Sequence, residues 1–293
     1  PDADVSLCDD IPPLPTTWNT LSAEPAEDFF FDDAGNMVSI SNTTLYLKPY
    51  YGPPGAVAHG TVDNARGIRP LADGTLAVAE MNGDRIYRVA MDGGTEVLAT
   101  PDAPNQVVMG NDGMLYVTGM WPRKVYRIDP TTGDTETIAD IPSCGGGDPM
   151  SDSVDGLVFS PDWKTLYVNR GDGALFAMSV SEEGELGPPT QVADLDLGEK
   201  LWPDGMAVDI CGNIYVSDHW GELKRVSPDG EVELGPRLID NAEFGAVTPS
   251  TQFGSGIGGW DRSKLYVIVA SQSTGALFEL DIGIPGKDLP HLP

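Results

Sequence analysis

The sequence is poor in positive charge: 17 Lys and Arg stand against 45 Asp and Glu in 293 residues, a formal net charge of −28. No basic stripe is available to neutralise phosphates, so nucleic acid is not an expected partner. The same balance disfavours anionic membrane surfaces and suits metal cations. No uninterrupted apolar run approaches the ~20 residues of a membrane span, and no membrane association is expected. Cysteine is scarce as well. Cys8, Cys144 and Cys211 lie far apart with no CxxC pair, which excludes a structural zinc site of the usual spacing. One disulfide with one free thiol and three free thiols both remain open. The glycine-rich loop Ser143-Cys144-Gly145-Gly146-Gly147 could reach Cys8, and that bridge is preferred over three free thiols. The chain begins at Pro1 without an apolar leader, so a removed signal peptide and a periplasmic or secreted location are expected.

What is present is turn-forming residues and a repeat. Hydrophobic residues make up 40% of the chain, enough for a core, while 35 Gly and 25 Pro point to many turns and few long helices. A polar anchor recurs before a short apolar strand, a Gly-containing turn and a second strand reading Leu-Tyr-Val or similar. From Glu27 to Met37, Arg66 to Leu76, Asn105 to Leu115, Asp204 to Ile214 and Ser255 to Leu265 the step is ten positions, and from Asp155 to Leu166 it is eleven. Successive anchors are separated by 39, 39, 50, 49 and 51 residues. Third strands follow as RIYRVA, KVYRID, ALFAMS, ELKRVS and ALFELD, and fourth strands as EVLAT, TETIAD, TQVADL and RLID (237–240). Four short strands per unit of this length mark a β-propeller blade. The expected fold is all-β: a six-bladed propeller over 14–284, with an N-terminal arm (1–13) and a C-terminal tail (285–293). The segment Leu14–Leu21 is expected to close the ring as the outer strand of the last blade, because an open ring would expose strand edges.

This topology gathers Glu27, Arg66, Asn105, Asp155, Asp204 and Ser255 at one end of the central channel. Three carboxylates crowded into a narrow shaft repel one another, and a hard divalent cation relieves that. Glu27, Asn105, Asp155 and Asp204 offer only oxygen, which favours Ca²⁺ over Zn²⁺ or Cu²⁺, other divalent cations being compatible.

These residues resemble the gluconolactonase, senescence marker protein and luciferin-regenerating enzyme group of six-bladed propellers. The resemblance runs from Glu27 to Leu280 and is strongest in Pro104-Asn105-Gln106-Val107-Val108, Asp155-Gly156-Leu157-Val158-Phe159-Ser160-Pro161-Asp162 and Pro203-Asp204-Gly205-Met206-Ala207-Val208-Asp209. It implies a divalent metal held by Glu27, Asn105, Asp155 and Asp204, with Asp204 as general base or nucleophile. Asp155 stands where the group usually has Asn, so the site is expected to be more anionic. The group's sugar lactonases place an Arg two residues before the third-blade Asn; here that residue is Ala103. Losing that donor disfavours a polyol substrate, although Arg66 could serve from another direction.

The mouth loops point the same way. Met120, Trp121, Trp202, Trp220 and Phe253 are expected to line an aromatic cleft for a fairly apolar small molecule, with Arg66 and Ser255 as polar contacts. His219 is the one histidine expected there, as an auxiliary acid or base beside Asp204 and Asn105; His59 and His291 fall elsewhere. The leading expectation is a monomeric Ca²⁺-dependent hydrolase of a lactone or related ester. A phosphotriesterase resembling diisopropyl fluorophosphatase remains open, as does a non-hydrolytic binding or cyclase-type propeller with structural calcium.

Overall fold

The computed structural model describes residues 5–196, 202–239, 247–270 and 275–292. Its strands form six antiparallel sheets of four. Blade one contains β2 (Phe29–Phe31), β3 (Asn36–Ile40), β4 (Thr44–Pro49) and β5 (Gly55–Ala58), preceded in the chain by β1 (Asn19–Ala23). Blade two contains β6 (Ala65–Pro70), β7 (Leu76–Glu80), β8 (Arg85–Val89) and β9 (Thr95–Ala99). Blade three contains β10 (Pro104–Met109), β11 (Leu115–Gly119), β12 (Lys124–Ile128) and β13 (Thr135–Asp140). Blade four contains β14 (Val154–Phe159), β15 (Thr165–Arg170), β16 (Ala174–Ser179) and β17 (Thr190–Asp194). Blade five contains β18 (Pro203–Val208), β19 (Ile214–Asp218), β20 (Glu222–Val226) and β21 (Val232–Arg237). Blade six contains β22 (Val247–Phe253), β23 (Lys264–Ala270) and β24 (Gly275–Asp281).

Strand alternation builds the core as wedges between neighbouring blades, because successive side chains point to opposite faces. In β2, Phe30 packs toward blade two with Val38, Ile68 and Val78, whereas Phe29 and Phe31 pack toward blade six with Trp260, Tyr266 and Ile268. In β18, Met206 and Val208 face blade four, and Ala207 faces blade six. Six such apolar clusters seal the ring.

Closure uses the N-terminal segment. β1 pairs antiparallel with β24, Asn19 opposite Glu279 and Ala23 opposite Gly275, which supplies the outer strand of blade six. Ahead of it the arm lies along blade five, where Arg225 donates to the Pro12 carbonyl at 2.8 Å and the Leu14 N–H donates to Glu233 at 3.1 Å.

Three expectations are corrected. The disulfide joins Cys8 to Cys211, with Cα atoms 5.4 Å apart, and Cys144 is free. Cys211 sits in the β18–β19 turn on the face opposite the anchors, and the arm reaches that face; the loop carrying Cys144 precedes β14 on the anchor face, where the Cys144 N–H donates to Asp152 at 2.8 Å. The outer strand of blade five is Val232–Arg237 rather than 237–240, and Asp240 lies outside the described residues. The sixth inner strand ends at Phe253, so Ser255 is no anchor.

Candidate functional site at the channel mouth

Five of the six inner strands carry an irregularity near their start. Pairing shifts between Ala65 and Ile68, Pro104 and Val107, Val154 and Leu157, Pro203 and Met206, and Val247 and Ser250. Bulges of this kind re-aim side chains. Within them lie Arg66, Asn105, Asp155, Asp204 and, in blade six, Thr248; Glu27 holds the corresponding place just before β2. Gly67, Gly156 and Gly205 follow three of these residues because inner strands touch there. A Cβ on Gly156 would stand 2.2 Å from the Asp204 carbonyl oxygen, and one on Gly205 2.5 Å from the Ser250 Cα.

Second strands hold these bulges from the next blade. The Thr118 hydroxyl donates to the Asp155 carbonyl at 2.6 Å, and the Asn169 amide donates to the Asp204 carbonyl at 2.7 Å. Thr248 is fully buried and donates to the Asp218 carbonyl, a structural tie rather than a group facing the cleft. Beneath the anchors, Asp28 accepts from Arg69 at 2.6 Å, Ser250 at 2.6 Å and Gln106 at 3.1 Å, which fills the shaft with a polar plug. The anchors stand above this plug, at the channel mouth.

At that mouth the Asn105 amide donates to Asp155, and Asp155 and Asp204 lie close enough for their charges to act on one another. Burial pushes Asp155 well above the usual carboxylate range, the neighbouring charge of Asp204 adds to this, and Arg66 opposes it. Burial does the same to Asp204, with Glu27 adding and Arg66 opposing. Glu27 is turned to Arg66, whose guanidinium lies 2.7 Å from its carboxylate. His219 Nδ1 stands 3.9 Å from Asp204, beyond a direct hydrogen bond. Enclosure lowers the His219 pKa while Glu27, Asp155 and Asp218 act against that, so the ring favours its neutral, proton-accepting form.

An aromatic wall flanks the carboxylates. Trp202 stacks on His219 with centroids 4.5 Å apart, and Trp220 meets His219 edge-on at 5.3 Å. Buried Asp218 fixes both tryptophan backbones, accepting from the Trp202 N–H at 3.2 Å and the Trp220 N–H at 2.6 Å. Met120 is buried between blades three and four, its N–H donating to the Ala103 carbonyl and its carbonyl accepting from Val154. Trp121 is 42% exposed on the same loop.

Phe253 and Ser255 do not belong to this site. Phe253 packs edge-on against Tyr215 in the core between blades five and six, and Ser255 bonds to Ile257 in the far turn. The physical reason is an extended turn: Thr248 precedes Leu265 by seventeen positions, not ten, so a count back from Leu265 lands beyond the end of β22. Asp28, Asp218, Thr118 and Asn169 were not singled out from the sequence. The signal available for the last two is a polar residue directly after Leu-Tyr-Val in blades three and four.

The family described as SMP-30/Gluconolactonase/LRE-like region matches residues 147–271, a span holding Asp155, Asp204, the aromatic wall and Thr248. Among solved structures, a gluconolactonase from Xanthomonas campestris matches at 19% identity and TM-score 0.70, over 97% of this chain and 96% of that one. A luciferin-regenerating enzyme matches at 14% identity and TM-score 0.71, over 94% and 99%. A calcium-binding regucalcin from Agrobacterium tumefaciens matches at 19% identity and TM-score 0.68, over 91% and 95%. No curated protein matches the chain in sequence. At these identities the structural likenesses establish the six-bladed fold.

Asp155 and Asp204 are enclosed carboxyls whose charge the protein only partly offsets, and Asn105 and Glu27 add further oxygen; these fit a hard cation. Among the described residues no group of three or more His, Cys, Asp or Glu is already arranged to hold one. Glu27 is instead engaged by Arg66, 2.7 Å from its guanidinium.

Proposed function

We propose that the protein is a Ca²⁺-dependent hydrolase of a lactone or related ester. The observation that carries this reading is the Asn105–Asp155–Asp204 cluster, enclosed at the channel mouth with its negative charge only partly offset. Glu27, Asn105, Asp155 and Asp204 would hold the ion, with another divalent cation as a substitute. When bound, such an ion supplies Lewis-acid polarisation of a carbonyl oxygen.

The chain's own groups supply the rest. Asp204 takes a proton from water or attacks the carbonyl carbon. Neutral His219, held between Trp202 and Trp220, receives the proton taken from water and passes it to the leaving oxygen. Asn105 orients Asp155 through its amide. Trp202, Trp220, Met120 and Trp121 form the apolar side of the cleft, and Ala103 offers no side-chain donor to a polyol. These features support a fairly apolar substrate.

The same features suit a phosphotriester, so the test uses both classes. Chelator-stripped protein is assayed on lactones, esters and phosphotriesters with and without added Ca²⁺. Turnover that returns with Ca²⁺ and falls at least about a hundredfold in Asp204→Asn supports the proposal, and the panel names the substrate class. A folded protein inactive on every substrate would replace it with a non-hydrolytic role.

A monomer acting outside the cytoplasm on a small molecule, with no nucleic acid or membrane partner, completes the reading. The Cys8–Cys211 disulfide supports an oxidising compartment.

A further inference from the structure

Arg66 differs from the other channel arginine in how it is held. Arg69 is buried and donates to Asp28 at 2.6 Å and to the Ile68 carbonyl at 2.5 Å. Arg66 has one ion pair, to Glu27 at 2.7 Å, its Nε is buried without a hydrogen-bond partner, and the two side chains are 26% and 34% exposed. Packing does not lock this pair, and solvent can replace either partner.

Its place in the fold is nonetheless fixed. Gly67 leaves no room between β6 and β10, a Cβ there falling 2.5 Å from the Val107 nitrogen and 2.7 Å from the Asn105 carbonyl oxygen. The backbone of Arg66 is thus pinned beside Asn105 while its side chain reaches back over the mouth to Glu27, close enough for its charge to act on both Asp155 and Asp204. Among the described residues it is a cation that this anionic mouth already contains.

We infer that Arg66 is a latch on the metal site: its guanidinium holds Glu27 in place of a divalent cation and must leave that carboxylate for the cation to bind. This rests on reading the anchors as a divalent-cation site. A Glu27 oxygen paired to the guanidinium is not free to ligate a metal, and a guanidinium left in the cluster would repel the incoming ion. Metal affinity is therefore set by exchange of one cation for another, and the metal-free protein keeps its charges partly balanced.

The test is calorimetric titration of Ca²⁺ into chelator-stripped wild type, Arg66→Met, Arg66→Lys and Glu27→Gln/Arg66→Met, with melting temperatures measured at each end point. Arg66→Met is expected to bind Ca²⁺ at least tenfold more tightly than wild type, to melt lower without Ca²⁺ and to gain more on adding it. Arg66→Lys, which keeps the charge and is the milder change for folding, is expected to stay near wild type. In the Glu27→Gln background the gain from Arg66→Met should shrink severalfold, because the latch acts through Glu27. Equal affinities in wild type and Arg66→Met would overturn the latch and leave the cation site standing. A tenfold gain undiminished by Glu27→Gln would also overturn it, reducing Arg66 to a distant charge. No Ca²⁺ binding in any folded variant would overturn both readings.

Discussion

Lys287 places a cation among apolar groups at the far end of the channel. Its stem is half-exposed, but the amine turns inward, 3.5 Å from the centre of the Trp163 ring and 3.0 Å from the Phe159 carbonyl that it donates to. Burial lowers its pKa from 10.5 to about 7. Between those values the unfolded chain binds more protons than the folded one, so stability should rise as pH climbs from about 7 toward 10.5 and be least below 7. The Trp163 face favours the charged form and offsets part of this, leaving an effect of about 2 kcal/mol. Lys287→Met should abolish that rise in denaturant melts at pH 6, 8 and 9.5; an unchanged pH profile would show that the amine stays solvated. At this scale the sequence revealed the anchor positions through their even spacing, but not their pairing. Nothing in a spacing of 39 residues says that Arg66 meets Glu27, or that Thr248 turns away from the cleft to cap Asp218.

Among the elements, the β1–β24 clasp depends on one carboxylate. Glu279 accepts from Asn19 at 2.9 Å, Lys264 at 2.9 Å, Tyr50 at 2.7 Å and Tyr266 at 3.1 Å. Burial alone would raise its pKa, yet these four donors together hold it below the usual range. Its stabilising contribution is therefore present above the ordinary glutamate range and lost as pH falls through the depressed folded value. Glu279→Gln is expected to cost about 2–4 kcal/mol at pH 7 and progressively less in acid, measured by chemical denaturation. A loss that does not vary with pH would contradict the ionised reading. Sequence reading found the clasp because an unpaired edge has to be covered, although the strand starts at Asn19 rather than Leu14. It failed on blade six, whose inner turn is longer and carries Gly256, Gly258 and Gly259 at positive φ. That turn docks on blade one, Trp260 Nε1 donating to the Gly35 carbonyl at 3.0 Å, and a tertiary contact of this kind leaves no periodic trace in the sequence.

For the molecule as a whole, six apolar wedges and a clasp make a closed ring, so the anchors from five blades are held in register. The disulfide adds a tie across 203 residues of chain, from the arm to blade five. Its partner could not be read from the sequence, because which face each cysteine occupies follows only from strand direction. Of the net charge of −28, the part that bears on function is the enclosed cluster at the mouth. The proposed hydrolase requires that cluster to be a cation site. The most direct measurement is calorimetric titration of Ca²⁺ into chelator-stripped wild type and Glu27→Gln/Asp204→Asn. One Ca²⁺ bound per chain in the wild type, with binding lost in the folded double variant, is the predicted result. Equal binding by both proteins, or none by the wild type, would contradict it.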